Sequence, residues 1–229
     1  MKILGIIPAR GGSKGIPNKN IKLLNGKPLL QYTSEKALKS RLLDKVILSS
    51  DCDEILKVGK IVGIEVPFKR PQELATDESP TIDTIIHALE FFQNKKVFFD
   101  AVCLLQTTYP FRTEGFIDAA IEKFIKEKSD SLISVLKVPH EYNPHWVFEE
   151  DKEGGLKIAT GEDTIISRRQ DLPNSFFRDG AIYITKADVI LKQKSLYGNS
   201  ISFLESYIEK YVNLDTIADW KKAERVLKD

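Results

Sequence analysis

Apolar runs of four to eight residues alternate with stretches of helical spacing through the first 138 residues of this chain. Residues 3–7, Ile-Leu-Gly-Ile-Ile, have no polar side, as in a strand covered on both faces. Further strands are read at 46–49, 64–68, 101–106 and 131–138. Between them, helices are predicted over 28–43, with Pro28 in the first turn, and over 51–62, 81–92 and 113–127. Asp51 and Asp53 are candidate caps for the second helix and Gly63 its stop, while Thr113 caps the fourth. This alternation implies parallel βαβ units and an α/β, doubly wound, mostly parallel sheet. Ligands of such sheets sit at the carboxyl ends of the strands. Three loops qualify: 8–20, 69–80 and 106–112.

The pattern changes at Pro139. Residues 140–175 carry Pro, Asn and Gly between short apolar pieces at 146–148, 156–158 and 164–166, which reads as a protruding β-hairpin excursion. A strand returns at 181–185. A short helix near 187–192 and an extended piece near 207–212 follow, and Asp215 or Thr216 opens a last helix to about Leu227. With no repeat or linker, residues 1–229 are read as a single domain with 139–176 as its excursion. A chain of this length needs no disulfide or structural metal to hold a core.

Composition removes several function classes. The net charge is +1, so no excess of one sign points to nucleic acid or a membrane surface. No run approaches the length of a transmembrane helix, and the first apolar stretch is too short for a signal peptide, so a cytoplasmic protein is expected. Cys52 and Cys103 show no metal or redox spacing and read as small buried apolar residues. His140 and His145 lack the spacing of a zinc helix. Asp51-Cys52-Asp53 has the wording of a glycosyltransferase D-x-D but more naturally caps the next helix.

The loop at 8–20, Pro-Ala-Arg-Gly-Gly-Ser-Lys-Gly-Ile-Pro-Asn-Lys-Asn, carries the strongest chemical signal. Its glycines allow close approach of the backbone to an anion, and successive N–H groups can form an anion-binding concavity. Arg10, Lys14 and Lys19 add charge suited to a polyphosphate, and Ser13 adds a hydroxyl donor. Neither GxGxxG nor GxxxxGK[ST] is present. Gly11–Gly15 matches G-x-S-x-G in form only, because Pro17 and the cations disfavour a helix directly after Ser13.

The run from Ile7 through Arg10-Gly11-Gly12-Ser13-Lys14-Gly15 to Asn20-Ile21 closely resembles the N-terminal signature of the N-acylneuraminate cytidylyltransferases. Leu104 to Arg112, Arg168-Arg169-Gln170-Asp171-Leu172-Pro173, Arg178 to Ile184, and Asn213-Leu214-Asp215-Thr216 with Asp219-Trp220 are similar to later segments of that family, in the same order. The resemblance implies a Rossmann-like nucleotidyltransferase. Its reaction transfers CMP from CTP to the anomeric hydroxyl of a sialic-type nonulosonic acid. Legionaminate, pseudaminate or the eight-carbon acid KDO are alternative acceptors, and the wording of 15–20 favours the sialic-type branch over KDO.

The same resemblance implies site roles. Arg10, Lys19 and Asp215 stand at catalytic positions. Arg10, Gly11, Gly12, Ser13, Lys19, Asn20 and Arg70 match nucleotide-binding positions, with Ser79 or Thr81 assisting. Gln106 matches a sugar-contacting glutamine. Arg168 is the preferred partner for the acid's carboxylate, Arg178 shares that role or braces the site or the dimer, and Arg169 is the remaining candidate. Asp179 stands where the family often has Asn. Mg²⁺ is expected from polyphosphate chemistry, with Asp215 as a ligand and Asn213 offering an amide oxygen where relatives carry a second aspartate. Asp215 reads equally as a helix cap. The excursion implies a homodimer interface that reaches the neighbour's site. Asn213 also motivates a non-enzymatic alternative, a silent nucleotide-binding protein.

Overall fold

The computed structural model describes residues 1–228. Strand β1, Ile3–Pro8, is apolar on both faces because it runs between two helical layers. Ile3 and Ile7 face one apolar cluster, and Leu4 and Ile6 face the other. After the basic loop, a two-residue antiparallel pair, β2 (Leu23–Leu24) and β3 (Lys27–Pro28), turns at Asn25 and Gly26, whose φ angles are +47° and +78°. Both values are positive, as a tight hairpin turn of this kind requires. Helix α1 spans Leu29–Leu38, β4 Lys45–Ser49, α2 Asp53–Ile61, α3 Thr81–Asn94 and β5 Ala101–Leu104. Helix α4 follows at Phe116–Glu127 and β6 at Ser131–Lys137. Residues 140–175 then leave the sheet and include the hairpin β7 (Phe148–Glu150) and β8 (Leu156–Ile158). The chain returns as β9, Phe176–Lys186, followed by α5 (Ala187–Gln193), β10 (Ile201–Glu205) and α6 (Ile217–Val226).

The central sheet has the order β10-β6-β9-β5-β1-β4. β1 is parallel to β4 and β5, and β10 is parallel to β6, while β9 is antiparallel to both of its neighbours. Helices α1, α2 and α4 cover one face, and α3 and α5 cover the other. A third apolar cluster lies outside this sandwich. Ile16, Leu24 and Leu29 meet Val212, Leu214, Trp220 and Ala223, which seats α6 on the first loop. Among the described residues no helix is long and apolar enough to cross a membrane.

Several local expectations are corrected. Residues 64–68 do not form a strand. A single bridge joins Ile47 to Glu65, and Pro67 has no N–H with which to extend it. The last strand is Ile201–Glu205, and residues 207–212 contain only a short turn. Ile201 and Phe203 point outward from this edge strand while Ser202 is buried, which reverses the alternation that would have revealed it. Helix α1 stops at Leu38, well short of residue 43, with Pro28 preceding it. The Asp118 carboxylate captures the turn beyond its end, accepting from Ser40 Oγ at 2.5 Å and from the Arg41 and Leu42 N–H groups at 3.2 and 3.4 Å. Thr113 caps nothing, because α4 begins after Gly115 at φ +72°. Neither aspartate caps α2. Asp53 is its first residue and Cys52 its cap position. Cys103 is buried, and burial pushes its thiol up to about 12, while Cys52 is only half-buried.

Asp179 has a structural role. Pairing between β6 and β9 slips between Ile133 and Val135, and Gly180 there adopts φ +83°. Asp179 Oδ1 accepts from Ser134 Oγ at 2.5 Å and from the Ala181 N–H at 2.9 Å, which satisfies groups that the bulge removes from the ladder.

Thr216 caps α6. Its Oγ1 accepts from the Asp219 N–H at 3.2 Å, and Asp219 Oδ2 accepts from the Thr216 N–H at 2.8 Å. Partial burial pushes the Asp219 carboxyl up, but hydrogen bonds from Thr216 and Asp215 outweigh this and hold it below its ordinary value. The carboxylate's contribution to folding is therefore complete above about pH 4 and is lost as pH falls through the folded value. Thr216→Ala should cost about 1 kcal/mol in urea unfolding at neutral pH. Its gap from the parent should narrow below about pH 4; a gap constant down to about pH 3 would exclude the carboxylate's share.

Candidate active site

The parallel strands β1, β4 and β5 end at one edge of the sheet, and the loops that follow them enclose a cleft of about 470 Å³. Arg10, Ser13, Lys19, Asn20, Arg70, Ser79, Gln106 and Asp215 all line it. Gly11, Gly12, Arg168, Arg178 and Asn213 are not part of its lining.

The first loop is held from beneath by polar latches. The Gly11 N–H donates to Asp51 Oδ1 at 3.0 Å, so this amide is turned away from a ligand, contrary to expectation. Asn20 is buried. Its Nδ2 donates to Arg10 O at 2.9 Å, and its Oδ1 accepts from Thr107 Oγ1 at 2.7 Å. Asn20 thus ties the loop after β1 to the loop after β5. Gly15 is required by contact rather than by φ. A Cβ there would lie 2.1 Å from the carbonyl oxygen of Asp215. Lys19 fixes the same juncture. Its Nζ donates to Leu214 O at 2.7 Å and meets Asp215 Oδ1 at 3.2 Å, with the side chain only 14% exposed.

Because Thr216 caps α6, the Asp215 carboxylate is left in the cleft mouth, 59% exposed. Its Oδ2 accepts from Asn213 Nδ2 at 2.7 Å. Among the described residues no group of three or more His, Cys, Asp or Glu side chains could hold a metal ion alone. One exposed carboxylate beside the cations of the first loop fits a cation of the Mg²⁺ type. Such ions take one or two protein carboxylates and complete their shell with phosphate oxygens and water. Asn213 can add an amide oxygen only by turning its NH₂ away from Asp215.

The second loop, 69–80, lies opposite. Arg70 is buried, and its guanidinium donates to Ser49 O, to Ser49 Oγ at 3.1 Å and to Leu74 O at 3.4 Å. Burial pulls it down to about 10, so it stays charged at neutral pH. It pins the loop at its base. Ser79 Oγ donates to Glu73 O at 2.6 Å, and the Ser79 N–H donates to Thr76 Oγ1 at 3.1 Å, which stiffens the tip. The tip meets the first loop directly. Arg10 Nη1 donates to Thr76 O at 2.7 Å, Arg10 Nη2 lies 2.6 Å from Asp77 Oδ1, and Lys14 Nζ lies 2.5 Å from Asp77 Oδ2. Thr76 and Asp77 were not anticipated, since nothing in the spacing of 69–80 distinguishes them from a solvated turn.

Gln106 ends the third wall. Arg112 braces it from behind, donating to the carbonyls of Gln106, Tyr109 and Ala181 at 2.7, 2.5 and 2.8 Å and to Thr33 Oγ1 at 2.9 Å. Arg112 is buried, and burial pulls it down to about 10, leaving it cationic among these carbonyls. The remaining arginines lie elsewhere. Arg168 is exposed and pairs with Asp171 at 2.7 Å, Arg169 is exposed, and Arg178 donates to Tyr197 Oη at 2.9 Å.

The Cytidylyltransferase family model matches residues 4–226. The chain is 38% identical over 230 residues to the CMP-N,N'-diacetyllegionaminic acid synthase of Legionella pneumophila, covering 99% of this chain and 97% of that protein. It is 36% identical over 233 residues to the N-acylneuraminate cytidylyltransferase of Oncorhynchus mykiss, covering 99% of this chain and 50% of that protein. Among solved structures, a CMP:2-keto-3-deoxy-manno-octonic acid synthetase complexed with CTP superposes with a TM-score of 0.75 at 17% identity, covering 100% and 99% of the two chains. At that identity the likeness concerns the fold.

The contact at Gly15 sets a sharp requirement. Gly15→Ala should push the segment carrying Asp215 off the first loop and lower kcat/KM by about 10²-fold or more, the scale of an ångström misplacement. Far-UV circular dichroism should be unchanged. Full activity in a folded Gly15→Ala protein would show that this juncture is not part of the site.

Proposed function

This chain belongs to the cytidylyltransferase family, and from that premise we propose that it transfers CMP from CTP to the anomeric hydroxyl of a sialic-type nonulosonic acid. The observation that carries the proposal is the single cleft in which Arg10, Lys14 and Lys19 gather opposite Asp215. A chain with a cationic loop after its first strand, closed by a carboxylate nearly the whole chain away, is built to hold a polyphosphate and a divalent cation together.

In the proposed reaction the hydroxyl oxygen bonds to the α-phosphorus, the bond from the α-phosphorus to the bridging oxygen breaks, pyrophosphate leaves and the hydroxyl proton is released. Arg10 and Lys14 bind the phosphates, and Ser13 donates a hydrogen bond beside them. Lys19 balances the negative charge next to Asp215 and fixes the final loop at the distance the reaction needs. The loop pinned by Arg70 and Ser79 presents its backbone to the base, and Gln106, held by Arg112, faces the sugar. Mg²⁺ bound at Asp215, with Asn213 adjacent, would supply charge neutralisation for the phosphates. Catalysis of this kind rests on positioning and charge stabilisation.

Among the described residues, the cations of the cleft that Gln106 lines, Arg10, Lys14, Lys19 and Arg70, are already engaged by carboxylates or carbonyls, which leaves the sugar's carboxylate to be met by a further cation. Arg168 and Arg169 stand on the excursion. Its exposed apolar side chains include Tyr142 (69%) and Leu156 (72%), as at a surface that another chain covers. A homodimer in which one chain's arginine completes its partner's site accounts for both facts. The same chemistry on legionaminate is the second reading, favoured by the 38% identity to a relative that carries that acid's name.

Pyrophosphate release with CTP and Mg²⁺ should be fast with one acid among N-acetylneuraminate, legionaminate, pseudaminate and KDO. No release with any of them would reject the reaction. Arg10→Ala and Lys19→Ala should each lower kcat/KM by about 10²-fold or more; near-native kinetics in both would remove the phosphate-loop assignment. Arg168→Ala should raise KM for the sugar far more than for CTP, and equal effects would reject a carboxylate clamp. Light scattering should give a dimer; a fully active monomer would overturn the shared site.

A further inference from the structure

The cleft holds an internal anion where phosphates would lie. Both oxygens of Asp77 are engaged, Oδ1 by Arg10 at 2.6 Å and Oδ2 by Lys14 at 2.5 Å. Lys19, the remaining cation of the first loop, faces Asp215. Every cation of the phosphate loop is therefore paired with a cleft carboxylate. We propose that Asp77 is a displaceable stand-in for the nucleotide's phosphates: it holds Arg10 and Lys14 in place in the free protein, yields to the triphosphate, and returns as pyrophosphate leaves. This rests on the cytidylyltransferase reading of the cleft.

The two carboxylates differ in how they are held. Asp215 sits on a segment fixed by Lys19, by the α6 cap and by the apolar cluster beneath it. Asp77 sits at the tip of a turn. The backbone of that turn is stiffened by Thr76 and Ser79, so the carboxylate is aimed at the first loop, yet its partner Lys14 is 80% exposed. Exposed ion pairs are individually weak and screened by salt. Charge-assisted bonds from arginine and lysine to phosphate are stronger. A triphosphate therefore replaces Asp77 readily, whereas a single inorganic anion gains less. The paired state keeps Arg10 extended into the cleft, through both Asp77 and Thr76 O. The Lys14 and Arg10 contacts hold the Asp77 carboxyl below its ordinary value, so it stays ionised across the neutral range.

The test is the affinity of the full chain for inorganic pyrophosphate and for CTP, each measured by calorimetry with and without Mg²⁺. Asp77→Asn removes the competing charge and keeps the shape. It should bind pyrophosphate about three- to tenfold more tightly than the parent, the size expected when one or two exposed ion pairs no longer compete. The difference should shrink at high salt. Pyrophosphate should also become a correspondingly stronger product inhibitor. Asp77→Glu should behave like the parent, and both variants should keep the parent's melting temperature. Unchanged or weaker pyrophosphate binding in Asp77→Asn would overturn the proposal. Weakening confined to Mg²⁺ would assign Asp77 to metal binding instead. If the parent itself bound neither CTP nor pyrophosphate, the reading of the cleft would fail and this inference with it.

Discussion

The ammonium group of Lys19 joins the two ends of the chain. It leaves the loop after the first strand and meets a carbonyl 195 residues away, then the carboxylate beside it. The contact is held by burial rather than by charge alone. Ile16, Leu24 and Leu29 form an apolar seat for Val212, Leu214 and Trp220, and Gly15 lets the Asp215 carbonyl settle against the loop backbone. An ion pair at an open surface contributes little. One whose lysine is largely covered, and whose partner segment is fixed by a capping box, keeps a defined geometry. The cleft exists because this seat brings a carboxylate from the end of the chain to the cations at its beginning.

The arginines divide by burial, and that division explains their work. Arg70 and Arg112 are buried and direct their guanidinium groups to backbone carbonyls, so each braces one wall of the cleft. Arg10 is half-exposed and pairs with the Asp77 carboxylate at the tip of the second loop. A buried guanidinium whose N–H groups are engaged by carbonyls is costly to move, because its partners would be left unsatisfied. A phosphate binder needs the opposite property. Sequence alone cannot sort these roles, since all three residues are arginines at the ends of strands or in loops.

Much of the architecture is legible in the sequence because a strand covered on both faces must be apolar throughout. Residues 3–7, 46–48 and 101–104 satisfy that rule and lie in strands, and 131–137, also a strand, departs from it only at Ser131, Ser134 and the exposed Lys137. The rule fails at the edges. Residues 201–205 form an edge strand with apolar side chains exposed, and 64–68 look apolar but contain Pro67. The cationic loop was legible for a chemical reason, since few other uses gather glycines and three cations directly after a first strand. The latches at Asp51 and Asn20 and the carboxylate at Asp77 were not. The amide that donates to Asp51 lies 40 positions away and the hydroxyl that donates to Asn20 lies 87 away, and no local spacing encodes such pairs.

The antiparallel strand β9 gives the excursion its position. In a wholly parallel sheet, a segment between two neighbouring strands must cross back over a face, and it would begin at the cleft edge and end at the opposite one. β9 instead runs against both β5 and β6, with Val135 opposite Arg178 and Cys103 opposite Ile184. The excursion therefore leaves β6 and re-enters β9 at the same edge, the edge where β1, β4 and β5 open into the cleft. The bulge at Ser134 and Asp179 lies just inside that edge, and Gly180 there passes close to Gln106, where an added Cβ would lie 3.1 Å from Oε1. One reversal of strand direction thus brings the protruding segment, its arginines and the wall that carries Gln106 to one side of the molecule.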